Sequence, residues 1–297
     1  MRRILLLACA AALRAQSLAL TLDDGPTLKA TPLLSPAQRN EALLRHLRTA
    51  DVPAVFFVTS GNGADRPDGF ALLKALSDGG QLLANHTTTH PDFNAEATTL
   101  EAFQADVLAC DRIIAPLPGF RKWMRFPYLR EGATAEKRDG IRTFLQAHGM
   151  RIGYVSVDTA DWLIDEKLRA KLAKEPKTDL APWRALYLAH LEARVRCYDA
   201  LAHALYGRAV PHTLLLHHNL LNALFLGDAL AHFRKLGWTL ISPDDAFADP
   251  AYAVLPQHLP LDGSVLETSA QALGLDLKPY FKGFQSERAV GEAAAKL

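Results

Sequence analysis

The stretch SLALTLDDGP, residues 17–26, runs an alternating apolar segment into two adjacent carboxylates and a Gly-Pro stop. Leu18, Leu20 and Leu22 recur at the period of a β-strand, and Gly25-Pro26 ends it at once. Asp23 and Asp24 therefore stand at the carboxyl end of a strand. Two like charges that close repel, and burying either is costly unless something positive lies nearby. A cation is the first partner to look for. Taken alone, Asp-Asp-Gly-Pro also reads as a plain turn, because these residue types favour turns.

Outward from this stretch, short apolar runs recur at residues 54–58 (AVFFV), 81–85, 123–126, 152–157, 213–217 and 238–242, which with the first makes seven strands. Amphipathic helices lie between them, at 37–50 behind the cap Ser35-Pro36, at about 98–115, at 134–148, and at 223–235 closed by Gly237. Strand and helix in repetition imply a parallel sheet covered by helices, and a run such as TLLL suits a strand buried on both faces. The expected fold class is α/β, a distorted parallel (β/α) barrel of about seven strands over residues 16–248. A charged, mostly helical insertion at about 163–210 follows the fifth strand, its charges facing water and its Leu, Trp and Tyr residues packing onto the barrel. Residues 249–297 form a weakly periodic C-terminal extension expected to pack on the barrel.

With 297 residues, 49% of them hydrophobic, the chain can bury a large core. The formal charge of +1 becomes about −2 when Arg2, Arg3 and Arg14 are set aside, leaving no basic field for nucleic acid. MRRILLLACAAALRA, residues 1–15, has the layout of a secretory signal peptide, so a secreted or periplasmic location is expected. Its apolar stretch from Ile4 to Leu13 is far short of the roughly 20 residues that cross a bilayer, so stable membrane insertion is not expected. Cys9 stands too early for a lipoprotein cleavage box to be the preferred reading. Cys110 and Cys197 read as buried thiols rather than metal ligands.

The polar clusters share one feature. Asp23-Asp24 follows the first strand, His86 the third, Arg125 the fourth, Asp158 to Trp162 the fifth, and His217 ends the sixth. In a parallel barrel the carboxyl ends of all strands open onto one face, so these residues would share a pocket. His86-Thr-Thr-Thr-His90 supplies two imidazoles, and neutral imidazole with carboxylate is a ligand set for first-row metals, zinc above all. Three threonines and the following Pro91 are poor helix interior, which points to a strand-end loop or a single turn. An HxxxH pair alone is weak evidence; a carboxylate pair at another strand end strengthens it. Two His and one Asp leave a coordination position open, the mark of a catalytic zinc site. One carboxylate can then hold the cation while the other accepts a proton. On the sixth strand adjacent residues face opposite sides, so only one of His217 and His218 can face the pocket.

These residues resemble the polysaccharide deacetylases with the NodB-type homology domain, carbohydrate esterase family 4-like enzymes that strip acetyl groups from glycans. Thr21-Leu22-Asp23-Asp24-Gly25-Pro26 is similar to the first family motif, His86-Thr87-Thr88-Thr89-His90-Pro91 to the second and Arg125-Phe126-Pro127-Tyr128 to the third. Asp158-Thr159-Ala160-Asp161-Trp162 is similar to the fourth and Leu215-Leu216-His217 to the fifth, all in the family's order over residues 17 to about 245. Leu22, where the family usually has an aromatic, and His218-Asn219, where an aspartate is common, depart from the pattern.

The resemblance implies Asp23 as general base and Asp24, His86 and His90 as ligands of Zn²⁺ or another divalent first-row metal such as Co²⁺. It implies that Arg125 orients Asp23 and lowers its pKa, that the Tyr128 backbone N–H donates to an oxyanion, and that Asp161 charges His217 to act as general acid. Trp162 and Leu215 would wall the acetyl methyl. The implied substrate is a glycan, an N-acetylated polysaccharide or oligosaccharide of chitin or peptidoglycan type. O-acetyl ester hydrolysis on xylan or decorated glycans, and silent glycan binding, are the alternatives.

Overall fold

The computed structural model describes residues 16–281 and 286–297, so the leader read at residues 1–15, Cys9 included, lies outside the described residues. In chain order the elements are β1 (Ser17–Asp23), α1 (Pro36–Ala50), β2 (Ala54–Val58), α2 (Pro67–Asp78), β3 (Leu82–Asn85), α3 (Leu100–Ile114), β4 (Phe120–Met124), β5 (Arg130–Gly132), α4 (Ala135–Ala147), β6 (Arg151–Ile152) and β7 (Val157–Asp158). There follow α5 (Asp161–Lys174), α6 (Ala181–Tyr206), β8 (His212–His217), α7 (Leu220–Lys235), β9 (Thr239–Leu240), α8 (Pro243–Phe247), β10 (Leu261–Asp262), α9 (Val265–Ala272) and α10 (Glu287–Ala294).

Eight strands form one parallel sheet in the order β6-β4-β3-β2-β1-β8-β7, with β9 pairing the start of β1 at Ser17 and Leu18. β6 and β7 stand at opposite ends of this order, yet only residues 153–156 separate them. A flat sheet of seven strands would hold its edges roughly 29 Å apart, while that stretch of chain reaches about 17 Å. The sheet must therefore curl, and the crossing segment joins its edges into a distorted (β/α) barrel, the expected class.

That crossing corrects the strand read over 152–157. It is two short strands on opposite edges, because the segment turns inward at Gly153, where a Cβ would lie 2.4 Å from the Phe57 ring. β4 starts at Phe120 and stops at Met124, which leaves Arg125 and Phe126 beyond the strand, and β9 is shorter than its expected run. Two features were not legible: α2, and the antiparallel ladder in which Leu261 faces Gly132 and Asp262 faces Arg130.

β1 is the centre of the architecture. Leu18, Leu20 and Leu22 are fully buried, as are Phe56 and Phe57 of β2 and Leu216 of β8. Each such side chain contributes about 1.5–3 kcal/mol of burial, and strands buried on both faces need the continuous apolar runs seen in the sequence. α1 opens with a capping box in which Ser35 and Gln38 satisfy each other's backbone N–H, with Pro36 in the first turn. Cys110 and Cys197 are free and buried, and burial pushes their thiols up to about 12 and about 11, so neither is a nucleophile. Among the described residues, no helix is long and apolar enough to cross a membrane.

Candidate active site

Asp23 closes β1 and is 2% exposed. A regular strand would send its neighbour to the opposite side, but Asp24 lies in the left-handed region at φ 67°. Its N–H donates to the Phe57 carbonyl at 3.1 Å, and Asn62 Nδ2 donates to its carbonyl at 3.0 Å. The broken alternation turns both carboxylates into one cavity, at a backbone cost of about 1–2 kcal/mol.

Behind Asp23 stands Arg125, 1% exposed. Its Nη1 donates to Asp23 Oδ1 at 2.6 Å and to Thr21 Oγ1 at 2.8 Å, its Nε donates to the Gly153 carbonyl at 2.8 Å, and its guanidinium lies 3.8 Å over the Phe57 ring. The pairing expected from the sequence is present and pulls the acid down as expected, but it does not decide the net result. Burial pushes the Asp23 carboxyl up to about 6, outweighing the downward pull of Arg125. A carboxylate poised there is a better proton acceptor near neutrality than one held low by its arginine.

His86 and His90 come from the loop after β3, where Thr87 and His90 have φ 68° and 55°, so the segment is an irregular loop. His86 Nδ1 lies 2.8 Å from the Arg125 carbonyl, and since a carbonyl only accepts, Nδ1 carries the proton and Nε2 keeps its lone pair. His86 Nε2 is 3.8 Å, and His90 Nε2 3.4 Å, from Asp24 Oδ1. Burial lowers both imidazoles, His86 to about 4, so both are neutral and able to ligate. Burial pushes Asp24 up, yet its surroundings, the charged His217 imidazole and the Thr59 hydroxyl among them, outweigh it and hold the carboxyl below its ordinary value. One ligand atom from each of Asp24, His86 and His90 lies within 4.8 Å of the others. Tetrahedral bonds of about 2.0–2.1 Å put donors roughly 3.3 Å apart, so Asp24 Oδ1 already stands close to that separation from both imidazole nitrogens, and the set fits a small divalent cation after closing by at most about 1.5 Å.

Opposite the cation set stands His217, at the end of β8. Its Nδ1 donates to Asp161 Oδ1 at 2.6 Å, and Asp161 Oδ2 accepts from the His217 N–H at 3.1 Å, Asn219 Nδ2 at 2.9 Å and Asn222 Nδ2 at 2.6 Å. Asp161 is fully buried. Burial works against a charged imidazole, but the Asp161 carboxylate overcomes it and raises His217 to about 10. His218 points elsewhere: its ring edge meets Phe56, its Nε2 lies 3.0 Å from Asn40 Oδ1, and it packs on Gly25, where a Cβ would lie 2.5 Å away.

A cavity of about 610 Å³ joins the two halves, with Asp23, Asp24, His86 and His90 on one side and Leu215 and His217 on the other. Trp162 and Tyr128 line its mouth, 43% and 55% exposed, and the Tyr128 ring meets His90 edge-on at 4.6 Å. Residues 10–152 match the polysaccharide deacetylase family. Over this stretch the chain is similar to that family.

Curated relatives agree in kind. The chain is 33% identical over 154 residues to a chitooligosaccharide deacetylase of Sinorhizobium fredii, covering 50% of this chain and 60% of the relative. It is 29% identical over 145 residues to a peptidoglycan-N-acetylglucosamine deacetylase of Bacillus cereus, covering 48% and 46%. The chain thus spans about half the length of these curated relatives. In fold it is similar to the chitin deacetylase of Colletotrichum lindemuthianum, at a TM-score of 0.55 and 20% identity over 79% of this chain and 88% of that one. It is also similar to a carbohydrate esterase family 4 pseudoenzyme of Bacillus anthracis, at 0.53 and 16% over 79% and 66%.

Every catalytic, binding and ligating residue singled out from the sequence lies in or directly behind the cavity. The support around them carries no such signal. The insertion braces the acid side from behind: the Tyr187 hydroxyl donates to Asn222 Oδ1, which turns the Asn222 amide toward Asp161, and Arg194 Nε donates to the Asp158 carbonyl at 2.6 Å. The C-terminal extension forms a further wall through Asp262, Gly263 and Glu287. No local pattern marks these residues, since their roles arise only from long-range packing.

Proposed function

We propose that the protein is a metal-dependent hydrolase removing acetyl groups from an N-acetylated polysaccharide or oligosaccharide of chitin or peptidoglycan type. One observation carries this reading: the cation set of ionised Asp24 with neutral His86 and His90 faces the charged pair His217–Asp161 across one cavity that also holds the arginine-paired Asp23. The activities named for the relatives support the same substrate class.

Asp24, His86 and His90 would hold the cation, Zn²⁺ being the ion this donor set favours, and when bound it supplies Lewis acidity and a water of lowered pKa. Asp23, ionised above about 6 and fixed by Arg125, takes the proton of the attacking water. The Tyr128 backbone N–H donates to the oxygen on which negative charge develops. His217, held protonated and oriented by Asp161, delivers a proton to the departing amine. Trp162 and Leu215 exclude water from the acetyl methyl. The leader read at residues 1–15 would carry this chemistry outside the cytoplasm.

The test is acetate release by the zinc-loaded protein from N-acetylated chitooligosaccharides, peptidoglycan and acetylxylan. Release from either N-acetylated glycan is expected. Release from acetylxylan alone would make it an O-acetyl esterase, and glycan binding without any release would make it a silent lectin.

A further inference from the structure

The loop carrying the two histidines is not held by secondary structure. The Thr87 N–H donates to Asn85 Oδ1 at 2.8 Å, the Thr88 and Thr89 N–H groups both donate to Asp106 Oδ2 at 3.0 and 2.9 Å, and the His90 N–H donates to Thr87 Oγ1 at 3.1 Å. Four successive amides thus end on side-chain oxygens. Asp106 takes the largest share, since Thr89 Oγ1 donates to the same oxygen at 3.2 Å and Thr88 Oγ1 donates to the Asp106 carbonyl at 3.2 Å. On the other side the loop is walled in: Ser60 and Gly61 N–H groups donate to the Thr87 and Thr88 carbonyls, and a Cβ at Gly61 would lie 2.5 Å from the Thr88 oxygen.

This clamp maintains a strained shape. Thr87 and His90 are non-glycine residues in the left-handed region, and Thr87 is β-branched, for which that region is disfavoured. Without compensating bonds the loop would relax, and the imidazoles would no longer share one focus with Asp24.

We propose that Asp106 of α3 is a positioning residue for the cation site: its carboxylate gathers the Thr88 and Thr89 amides so that His86 and His90 stand at ligating separation before any ion arrives. The inference rests on the metal-dependent reading above. Asp106 belongs to none of the motifs and is not among the residues lining the cavity.

The experiment titrates Zn²⁺ into the metal-free full chain, its Asp106→Ala and Asp106→Asn variants, and Asp24→Asn as a ligand control, using a competing chelator, with thermal melting of each metal-free protein. Asp106→Ala is expected to bind Zn²⁺ about 10–100-fold more weakly, the range for removing a partner that orients ligands. Its metal-free melting temperature should stay within a few degrees of the parent. Asp106→Asn retains an acceptor oxygen and should recover most of the affinity. Amide exchange at Thr88 and Thr89 in the metal-free parent should be slow, a readout that stands even if Asp106→Ala does not fold. Zinc affinity of Asp106→Ala within threefold of the parent, an Asn variant as weak as the Ala variant, or fast parental exchange at both amides would each overturn the proposal. If the parent itself binds Zn²⁺ no better than Asp24→Asn, the metal reading fails and takes this inference with it; a parent that binds tightly alongside an unaffected Asp106→Ala refutes this inference alone.

Discussion

Replacing Asp161 by Asn removes a negative charge while leaving an acceptor oxygen for His217 Nδ1, so it isolates electrostatics from shape. His217 stands at about 10 against an ordinary 6.5, and each pH unit between the two is worth ~1.36 kcal/mol, which puts the preference for the charged imidazole at roughly 5 kcal/mol. The His217 side chain is 19% exposed, so solvent screens part of this, and about 2–4 kcal/mol is the working figure. Losing it lowers the pH at which the imidazole gives up its proton and brings the alkaline limb of the pH–rate profile down toward about 7–8. The linkage has a definite sign. Because the folded value lies above the unfolded one, the pair's stabilisation is complete below about 6.5 and lost as pH rises through about 10. The stability gap between parent and Asp161→Asn should therefore be widest just below about pH 6.5 and close above pH 10. The assay pairs acetate release across pH 5–11 with NMR titration of the His217 ring. An alkaline limb and a ring titration that both stay where the parent has them would refute the assignment of Asp161 as the source of the charge.

Other perturbations follow from the same geometry. Asp23→Asn should cut acetate release by about 10²–10⁴-fold, the usual reach of a lost general base, while one zinc per chain remains on elemental analysis. The same change strips Arg125 of its carboxylate and should lower stability by about 3–5 kcal/mol, visible in thermal melts. Gly153→Ala puts a methyl 2.4 Å from the Phe57 ring at the segment that joins the sheet edges, and should cost about 1–3 kcal/mol by urea unfolding. Parental stability in that variant would mean the crossing is looser than described.

The parts of the site carried by contiguous residues were legible before any coordinates. Asp23-Asp24, His86, His90, Arg125, Asp161 and His217 each end or follow an apolar run, and a parallel barrel turns that one-dimensional pattern into a shared pocket. Leu215 and His217 line the cavity while His218 packs on Gly25, as strand alternation requires. The same alternation rule fails at Asp24, because only the left-handed turn there lets adjacent carboxylates converge. Asp23 shows a second limit: its partner was readable, but the depth of its burial, which decides whether its carboxyl is raised or lowered, is a property of the folded chain. The 152–157 run misled because its composition is that of one strand, whereas Gly153 against Phe57 bends the chain across the barrel opening. Tyr187, Asn222, Asp262 and Glu287 come from elements with no motif, and only tertiary packing gives them their places.

The most direct measurement is acetate release from an N-acetylated chitooligosaccharide by protein stripped of metal and then given one equivalent of Zn²⁺. The account predicts no release without metal, recovery on adding zinc, and no recovery when Asp24 or His90 is replaced. Undiminished release from the stripped protein, or full zinc-dependent activity with those ligands removed, would contradict it.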